Sequence, residues 1–460
     1  MKKLVSLLIC FVLLFGMVSC KKKDDVKLPN DFSIINDVIT FTEEEGYTYK
    51  VIFVSSEKEL KRNVDSGKNV SELNIQAGTY KVYLEVTTPK GNTKRTENGI
   101  EYFAKDPNAI ASMEGVDMIN GRYIKWMGRT RFDEENNYNV LYHAGSSFEI
   151  NFIGTKVTAD VIGLNYKHSA EPWKAPFLTV VVDGDFENAK VIGLTSSLAT
   201  ITLVENLELK EHNVIVYKRS EALDSHIGIK NVVTDGEILE KVTMKDRKIE
   251  ILGDSTNAGY GNETSRSKGE GKKSSNSNFL ETMGFIAANK CNADFNVFCA
   301  SGWGLTGSAW TNPHTLNLFE EYQKYAPFSE YGWNFSNFTP DVVVVSVGTN
   351  DLYYLEMDNR VNFDSRADAF VQRYLDLVEL IHNNYGEDTP VIMVWGAMGE
   401  TRMYPTYERT ITALEQTYSN VYNLRVNGDK QAVDYHPSVS SHREMGELLA
   451  QKIKEVMNWE

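Results

Sequence analysis

The sequence predicts a multidomain protein in which two N-terminal β-sandwich modules precede an α/β/α domain with a parallel sheet. Three observations predict this organisation. The chain has 460 residues, which is too long for a single hydrophobic core. Polar and apolar residues alternate over much of the first half of the chain with the period of half-buried strands. After about residue 247, strand-like and helix-like patterns take turns, which is typical of a parallel sheet covered by helices.

The first predicted module spans residues 28–105. Its strands are indicated by the alternating segments YTYKVIFV and GTYKVYLEV. Turn-forming residues at positions 89–92, with the sequence PKGN, separate two of the strands. Short strands joined by turns in a segment of this length predict a small sandwich of the immunoglobulin-like type. No motif that carries chemistry occurs within it.

The second predicted module spans residues 107–245 and is also a β-structure. Strands are indicated by the segments SSFEINFIG, KVTADVIG, FLTVVVDGD and HNVIVYKRS. Glycine or aspartate stands at the joins, and no long amphipathic helix interrupts the pattern. We therefore expect a second sandwich, of the jelly-roll type.

The third predicted domain spans residues 246–460. Apolar runs predict strands near residues 249–252, 295–298, 342–347 and 391–395, and helical periodicity predicts helices over 366–382 and 441–457. Asn278 and Glu281 have the spacing of a capping box, which predicts a helix that begins directly after Asn278. Strand, loop and helix in repetition predict a doubly wound parallel sheet, with active groups at the carboxyl ends of its strands.

The overall charge argues against a nucleic-acid partner. The chain has 48 basic and 63 acidic residues, which gives a net charge of −15 and a pI near 5.2. A surface of this charge repels phosphate backbones. A neutral substrate such as a polysaccharide fits better.

The N-terminus predicts export. Residues 1–19 combine two lysines with a short apolar run, which is typical of a signal peptide. The run ends at Cys20 in the sequence MVSC, which resembles the lipobox of bacterial lipoproteins, in which the cysteine is acylated. We therefore expect lipidation of Cys20, a tether over residues 20–27, and a cell-envelope location at the outer membrane, facing the periplasm or the outside. The alternative is an ordinary secretory peptide with a chance cysteine.

The other cysteines and the histidines do not predict a metal site. Cys291 and Cys299 are the two cysteines outside the signal region, and their spacing matches no metal-ligand pair. A disulfide between them is possible in an oxidising compartment, while their apolar surroundings favour two buried thiols. The eight histidines are scattered without the spacing of zinc ligands. We expect neither a metal nor an organic cofactor.

Three loops that follow predicted strands, and a fourth that precedes the last helix, carry the candidate site residues. Ser255 follows the strand at 249–252, Gly302 follows the strand at 295–298, Asn350 follows the strand at 342–347, and His436 precedes the last helix. A serine hydroxyl and a histidine can form a nucleophile and base pair, with Asp434 as the nearest acid to orient the histidine. A glycine N–H and an asparagine amide can stabilise an oxyanion. Each loop alone is also explained by a turn or a buried polar contact, so the ordered set carries the interpretation.

These four segments resemble the conserved blocks of the SGNH hydrolase superfamily, also called GDSL-like. Ser255 lies in the GDS block, Gly302 in the second block, Asn350 in the GTND block and His436 in the HPS block. The resemblance covers residues 246–460. It implies acyl transfer with Ser255 as nucleophile, His436 as base, and an oxyanion hole formed by the N–H groups of Ser255 and Gly302 and the Asn350 amide.

A narrower resemblance is to the family 2 carbohydrate esterases, which join a jelly-roll domain to an SGNH domain. The segments VVVDGD, VYKRSEA, GDSTNAGYGNE, ASGWGLTGS and DYHPS are similar to those of that family and extend the resemblance over about residues 108–460. It implies removal of O-acetyl groups from plant polysaccharides such as xylan or glucomannan, with 6-O-acetyl hexoses as favoured substrates. The partners expected are an acetylated polysaccharide and, through the lipid anchor, a membrane.

One position departs from the superfamily pattern. Many SGNH hydrolases have the triad acid three residues before the histidine, and this chain has Val433 there and Asp434 one residue later. The family 2 esterases use either an acid or a main-chain carbonyl in this role, and both alternatives stay open at this point. The aromatic residues Tyr260, Trp303 and Tyr435 lie in the same loops, where they either stack on a sugar ring or pack within the protein.

Two other functions are compatible with the sequence. A glycan-binding surface lipoprotein with a vestigial hydrolase domain would bind acetylated polysaccharide without releasing acetate. An SGNH esterase acting on another acyl ester would keep the chemistry and change the substrate, because a fold alone does not define a substrate.

Overall fold

The computed structural model describes residues 26–56, 58–105, 109–114, 118, 121–166 and 170–460. The predicted signal peptide, Cys20 and most of the tether lie outside these residues. The chain divides into two compact units, Met1–Asp106 and Pro107–Glu460. The described part contains no helix that is long and apolar enough to cross a membrane.

The first unit is an antiparallel β-domain, as predicted. Its central strands have alternating buried and exposed residues, which places one face of each strand in the core. Four strands form a sheet in the order β4-β3-β5-β6, β7 also pairs with β5, and β1 and β2 form a separate hairpin. The strands are β1 Ser33–Ile35, β2 Val38–Thr40, β3 Thr48–Val54, β4 Glu59–Asn63, β5 Gly78–Thr87, β6 Thr93–Arg95 and β7 Ile100–Ala104.

The second unit begins with an antiparallel β-sandwich. The described strands form two layers, β9-β12-β17-β14-β15 and β16-β13-β18-β11-β10, which join where the end of β18 pairs with β12. Strand β8 also pairs with β18. Alternate residues of both layers are buried in one shared core. The strands are β8 Ile110–Glu114, β9 Lys125–Met127, β10 Thr130–Asp133, β11 Tyr138–Leu141, β12 Ser147–Gly154, β13 Val157–Leu164, β14 Phe177–Val182, β15 Asp185–Gly193, β16 Ala199–Val204, β17 Lys210–Lys218 and β18 His226–Ile238.

The rest of the second unit is the predicted α/β/α domain. Its five parallel strands have the order β20-β19-β21-β22-β23, so the chain reverses its direction of winding between β19 and β21. The strands are β19 Lys248–Gly253, β20 Asp294–Cys299, β21 Val342–Ser346, β22 Val391–Trp395 and β23 Val421–Arg425. The α-helices are α1 Ser255–Ala258, α2 Met283–Lys290, α3 Leu318–Glu321, α4 Thr349–Leu355, α5 Phe363–Tyr385, α6 Tyr404–Thr417 and α7 Val439–Met457.

Both faces of the parallel sheet are buried, which explains its unbroken apolar strands. In β21, Val343 and Val345 pack with helices α5 and α6 on one face. Val342 and Val344 pack with helices α2 and α7 on the other face. A strand covered on both sides needs an apolar residue at every position, and this is the pattern from which the parallel sheet was predicted.

One predicted helix start was wrong. Asn278 caps only a single 3-10 turn, Phe279–Glu281, and α2 begins at Met283 with Thr282 as its N-cap. The Glu281 carboxylate binds Arg443 of helix α7 in place of the Asn278 N–H that a capping box requires. An ion pair to a distant helix therefore replaces the local contact that the spacing predicted.

Buried ion pairs connect the β-sandwich to the parallel-sheet domain. Lys125 of β9 lies 3.0 Å from Asp294 of β20. Arg129, which is fully buried, lies 3.5 Å from Glu250 of β19, and its guanidinium carbon lies 4.5 Å from the centre of the Phe298 ring. Buried charges need partners, so each domain supplies the partner for charges buried at the interface with the other.

An Arg129→Met substitution is expected to lower the free energy of unfolding by about 3–5 kcal/mol, because removing one partner of a buried ion pair leaves the other charge uncompensated. Urea unfolding followed by tryptophan fluorescence measures this selectively, since all seven tryptophans lie in Pro107–Glu460. Arg122→Met is the matched control. Arg122 pairs with Glu240 on the surface, with both side chains more than half exposed, so we expect a loss below about 1 kcal/mol. Equal losses in the two variants would contradict this account of the interface.

Candidate active site

The serine lies where strand β19 of the parallel sheet ends. Strand β19 ends at Gly253, and helix α1 begins at Ser255. Asp254 forms the helix cap, since its carboxylate accepts hydrogen bonds from the Thr256 N–H at 3.0 Å and the Thr256 hydroxyl at 2.9 Å. This is the switch point of the sheet, at which open α/β folds bind their ligands.

The histidine that contacts this serine comes from the loop after the edge strand, β23. His436 lies in the loop between strand β23 and helix α7, and its Nε2 is 2.7 Å from the Ser255 hydroxyl oxygen. Both side chains are largely buried. An imidazole nitrogen at this distance can accept the hydroxyl proton, so the structure brings together the nucleophile and base that the sequence predicted.

Val433 provides the acceptor that orients the histidine, and the prediction that Asp434 does so is corrected. His436 Nδ1 lies 2.9 Å from the Val433 main-chain oxygen. A carbonyl only accepts, so Nδ1 carries the proton and Nε2 is free to accept one from Ser255. The Asp434 carboxylate instead accepts a hydrogen bond from the Tyr260 hydroxyl at 2.8 Å.

The backbone before His436 explains this arrangement. Asp434 and Tyr435 both have left-handed conformations, with φ of 49° and 63°. Residues other than glycine rarely adopt this conformation, and those that do are often found at functional sites. The resulting tight turn spans Val433–Tyr435 and returns the His436 N–H to the Val433 oxygen at 3.0 Å.

Tyr260 fixes the plane of the imidazole ring. Its ring stacks on that of His436, with centroids 4.3 Å apart and planes 17° from parallel. The Tyr260 hydroxyl donates a hydrogen bond to the Asp434 carboxylate, so the aspartate holds the ring that packs on His436. The sequence allowed two roles for Tyr260, stacking on a sugar ring or packing within the protein. The structure shows it packed on His436 at the wall of the cavity.

Two further groups predicted for the site lie beside the serine. Gly302 follows strand β20 with φ of 77°, a conformation that favours glycine. Asn350 lies in the first turn of helix α4, and its amide nitrogen is 2.9 Å from the Trp303 oxygen and 3.4 Å from the Asp254 carboxylate. The second distance is long for a hydrogen bond, so the contact with Asp254 is the weaker of the two. Within the described part of the chain, no residue accepts the main-chain N–H of Ser255 or of Gly302.

An open cavity of about 660 Å³ contains these groups. It has two aromatic residues that the sequence analysis missed, Trp310 and Tyr353, whose rings are 5.4 Å apart. Trp310 is 64% exposed, so much of its ring is accessible from the cavity and the solvent. Trp303 is buried and packs within the protein. The lining residues are Ser255, Tyr260, Ser301, Gly302, Trp310, Thr349, Asn350, Tyr353, Met398, Asp434, Tyr435 and His436.

The two described cysteines do not line the cavity. Cys291 and Cys299 are both buried free thiols. Burial raises the pKa of the Cys299 thiol well above its usual range. No cluster of histidine, cysteine and acidic residues in the described ranges has an arrangement able to hold a metal ion.

The parallel-sheet domain and its serine and histidine pair place the chain among the GDSL-like hydrolases. The family model for GDSL-like Lipase/Acylhydrolase matches residues 249–435. A second family model, Carbohydrate esterase 2 N-terminal, matches residues 126–241. With a carbohydrate esterase 2 N-terminal domain followed by a GDSL-like hydrolase domain, the chain has the domain organisation of a family 2 carbohydrate esterase.

Two relatives are similar to this chain over about three quarters of its length. The chain is 28% identical over 346 residues to the cellulase/esterase CelE of Acetivibrio thermocellus, a match that covers 73% of this chain and 40% of the relative. It is 24% identical over 344 residues to an acetylxylan esterase / glucomannan deacetylase of Cellvibrio japonicus, covering 73% of this chain and 90% of the relative. The chain thus spans less than half of the length of CelE.

A solved structure has the same fold. The family two carbohydrate esterase from Clostridium thermocellum in complex with cellohexaose superposes with a TM-score of 0.64 and 26% identity. The match covers 73% of this chain and 100% of that structure. The similarity therefore extends over the whole of that solved chain.

An Asp434→Asn substitution is expected to lower kcat by less than about tenfold, because His436 is oriented by a main-chain carbonyl. Loss of a true triad acid costs about 10⁴-fold. Asparagine keeps an oxygen that can accept the Tyr260 hydroxyl, so the ring stack is preserved. Steady-state hydrolysis of 4-nitrophenyl acetate measures the effect. A loss near 10⁴-fold at unchanged stability would restore Asp434 to the orienting role.

The acidic limb of kcat/KM is expected below pH 6.5. Burial lowers the pKa of His436 from its ordinary value of 6.5, against smaller raising effects of the Val433 carbonyl and the Asp434 charge. A base acts only when neutral, that is, above its pKa, so a lowered pKa keeps the enzyme active to lower pH. Activity then falls as the pH drops through the pKa of His436. A kcat/KM profile with its acidic midpoint above 6.5 would contradict this environment for His436.

Proposed function

We propose that this protein is a serine esterase that removes O-acetyl groups from plant polysaccharides such as xylan or glucomannan, with 6-O-acetyl hexoses as the favoured substrates. The observation that carries the proposal is the 2.7 Å contact between Ser255 and His436 within an open cavity. The Cellvibrio relative, described as an acetylxylan esterase / glucomannan deacetylase, supports the choice of acyl group and substrate class.

The geometry supports a two-step reaction. The Ser255 oxygen attacks the acetyl carbonyl carbon while His436 Nε2 takes the hydroxyl proton. The Ser255 and Gly302 N–H groups and the Asn350 amide stabilise the negative oxygen that develops. His436 then returns the proton to the departing sugar oxygen, which leaves an acetyl group on Ser255. Water attacks this ester with His436 as base, releasing acetate and restoring the serine.

The cavity fits a neutral sugar chain. Among the described residues that line it, none is a lysine or arginine that would select an anionic substrate. Trp310 and Tyr435, which is 59% exposed, offer aromatic surface at which sugar rings can pack. The oligosaccharide bound to the Clostridium thermocellum relative is the precedent for this class of ligand. An open cavity with aromatic residues in its wall favours an acetyl group carried on a glycan chain.

Acetate release from acetylated xylan and acetylated glucomannan tests the proposal. The mature chain is expected to release acetate from at least one of them, and Ser255→Ala from neither. Acetate release by both proteins would contradict the role of Ser255. Binding of the polysaccharide without acetate release would favour a glycan-binding lipoprotein. Hydrolysis of other esters, without acetate release from either polysaccharide, would favour an esterase for a different acyl group.

We also propose that Cys20 is lipidated and anchors the protein in the bacterial envelope. The support is the sequence MVSC at the end of the apolar N-terminal run. Metabolic labelling with a palmitate analogue in the native host is expected to label the wild type and not Cys20→Ala. Labelling of both, or recovery of the wild type as an unmodified secreted protein, would contradict the anchor.

A further inference from the structure

We propose that Glu221, a residue of the β-sandwich domain, positions the oxyanion loop of the hydrolase domain. The oxyanion loop is residues 300–303, which follow strand β20 and include Gly302. This inference rests on the proposed function, because it assigns Glu221 a part in stabilising the oxyanion. It makes the β-sandwich a contributor to catalysis in addition to any structural role.

The contact that carries the inference is direct. The buried Glu221 carboxylate accepts a hydrogen bond from the Ser301 N–H at 3.0 Å. Ser301 immediately precedes Gly302, so this bond holds the peptide unit next to the one that carries the Gly302 N–H, the proposed oxyanion donor. A hydrogen bond to a charged acceptor is about twice as strong as one between neutral groups.

Two other side chains hold the same loop at successive positions. The Ser308 hydroxyl donates to the Gly302 oxygen. The Asn350 amide donates to the Trp303 oxygen at 2.9 Å. Each of the three residues from Ser301 to Trp303 is thus held through its main chain by one side chain, and only Glu221 comes from the other domain. Fixed geometry matters here, because oxyanion donors act through preorganisation.

The charge of Glu221 is balanced so that it does not oppose the oxyanion. Its other oxygen lies 2.8 Å from the Lys272 ammonium group, which also binds Asp224. Lys218 lies in the same buried cluster and donates to the main-chain oxygens of Ser220 and Glu221. The cluster contains two lysines and two carboxylates. Burial acts to raise the pKa of Glu221, but Lys272 and the Ser301 contact lower it below its ordinary value and keep the group ionised.

Asp224 provides a matched control. It is buried in the same cluster and binds the same lysine, and its remaining contact is with the Ser274 hydroxyl at 3.1 Å. It has no contact with the oxyanion loop among the interactions of the described residues. Asp224→Asn therefore removes the same charge from the cluster as Glu221→Gln, while the hydrogen bond to Ser301 is retained.

The test compares Glu221→Ala, Glu221→Gln and Asp224→Asn in the full mature chain, using kcat and KM for 4-nitrophenyl acetate. We expect Glu221→Ala to lower kcat by roughly 10- to 100-fold with KM nearly unchanged, because a misplaced donor affects the transition state more than substrate binding. Glutamine keeps an acceptor oxygen, so Glu221→Gln is expected to recover part of the loss. Asp224→Asn is expected to retain kcat within about threefold of the wild type, because the oxyanion loop keeps its anchor.

Two outcomes would overturn the proposal. One is a loss of kcat in Asp224→Asn as large as that in Glu221→Ala, which would mean that the cluster acts only through its charge or its stability. The other is an unchanged kcat in Glu221→Ala. Glutamine has nearly the same shape as glutamate. If Glu221→Ala fails to fold, the kcat of Glu221→Gln can still be compared with that of Asp224→Asn.

The rate of labelling of Ser255 by a fluorophosphonate separates this proposal from the proposed substrate. The reagent reacts with an activated serine whatever acyl group the enzyme uses. If the wild type is labelled but releases no acetate, the substrate class is wrong, and the same variants are ranked by their labelling rates. Equal labelling rates for the wild type and Glu221→Ala would overturn the role of Glu221 even if acetate release were confirmed.

Discussion

A Ser255→Ala variant is expected to lower kcat by a factor on the order of 10⁶, the loss found when a serine hydrolase loses its nucleophile. The structure gives the reason. Ser255 is the one residue in contact with His436 Nε2, within the described part of the chain, that can form a covalent bond to an acyl group. Alanine keeps the helix start and the cap formed by Asp254, so binding and folding are expected to persist.

Hydrolysis of 4-nitrophenyl acetate and of acetylated xylan by the same preparation measures this loss. Ser267→Ala is the matched control, because Ser267 is an exposed serine in the loop after helix α1. It is expected to retain wild-type kcat. Residual activity in Ser255→Ala above about one per cent of the wild type, with normal tryptophan-detected unfolding, would show that another residue is the nucleophile.

A His436→Ala variant is expected to lose about as much, on the order of 10⁶ in kcat, because the serine and the histidine act as a unit. Without the imidazole, the Ser255 hydroxyl has no base at hydrogen-bond distance. The acidic limb of the pH profile should also disappear, since that limb reports the protonation of His436.

The pH profiles of His436→Ala and Asp434→Asn, measured side by side, distinguish the roles of the two residues. Asp434→Asn is expected to keep the acidic limb and shift it to lower pH, since the Asp434 charge acts to raise the pKa of His436. His436→Ala is expected to lose the limb altogether. An intact acidic limb in His436→Ala would mean that a different group is the base.

The parallel-sheet domain was predictable because its sequence pattern is unusually strong. A run of four valines in β21 is explained by burial on both faces of a parallel sheet, and the loops at the strand ends follow from the fold. Ser255, Gly302, Asn350 and His436 were found because each directly follows or precedes such an element. The structure brings all four to one cavity.

The acceptor for His436 could not be read from side chains alone. A main-chain carbonyl has no sequence signature, and its direction depends on the left-handed conformation of Asp434 and Tyr435. The available signal was the position of Val433, three residues before the histidine, where many SGNH hydrolases have an acid. An apolar residue there is compatible with use of the main chain, and the structure shows the Val433 oxygen in that role.

Contacts between distant segments were also beyond prediction. Glu221 lies 80 positions before Ser301 in the sequence, and no periodicity links the two. Trp310 lies in a loop and Tyr353 in helix α4, and only the folded chain places them in one cavity wall. The start of helix α2 was misplaced for a similar reason, because Glu281 pairs with Arg443 of the last helix. Local patterns predict elements, whereas these contacts depend on how the elements are packed.

Peptide mapping of the mature protein after reaction with a fluorophosphonate tests the central claim most directly. That claim is that Ser255 is a nucleophile activated by His436 in an oxyanion site. The account predicts a single labelled peptide that contains Ser255, with labelling abolished in Ser255→Ala and strongly slowed in His436→Ala. A label on another residue of the wild type, or equally fast labelling of His436→Ala, would contradict it.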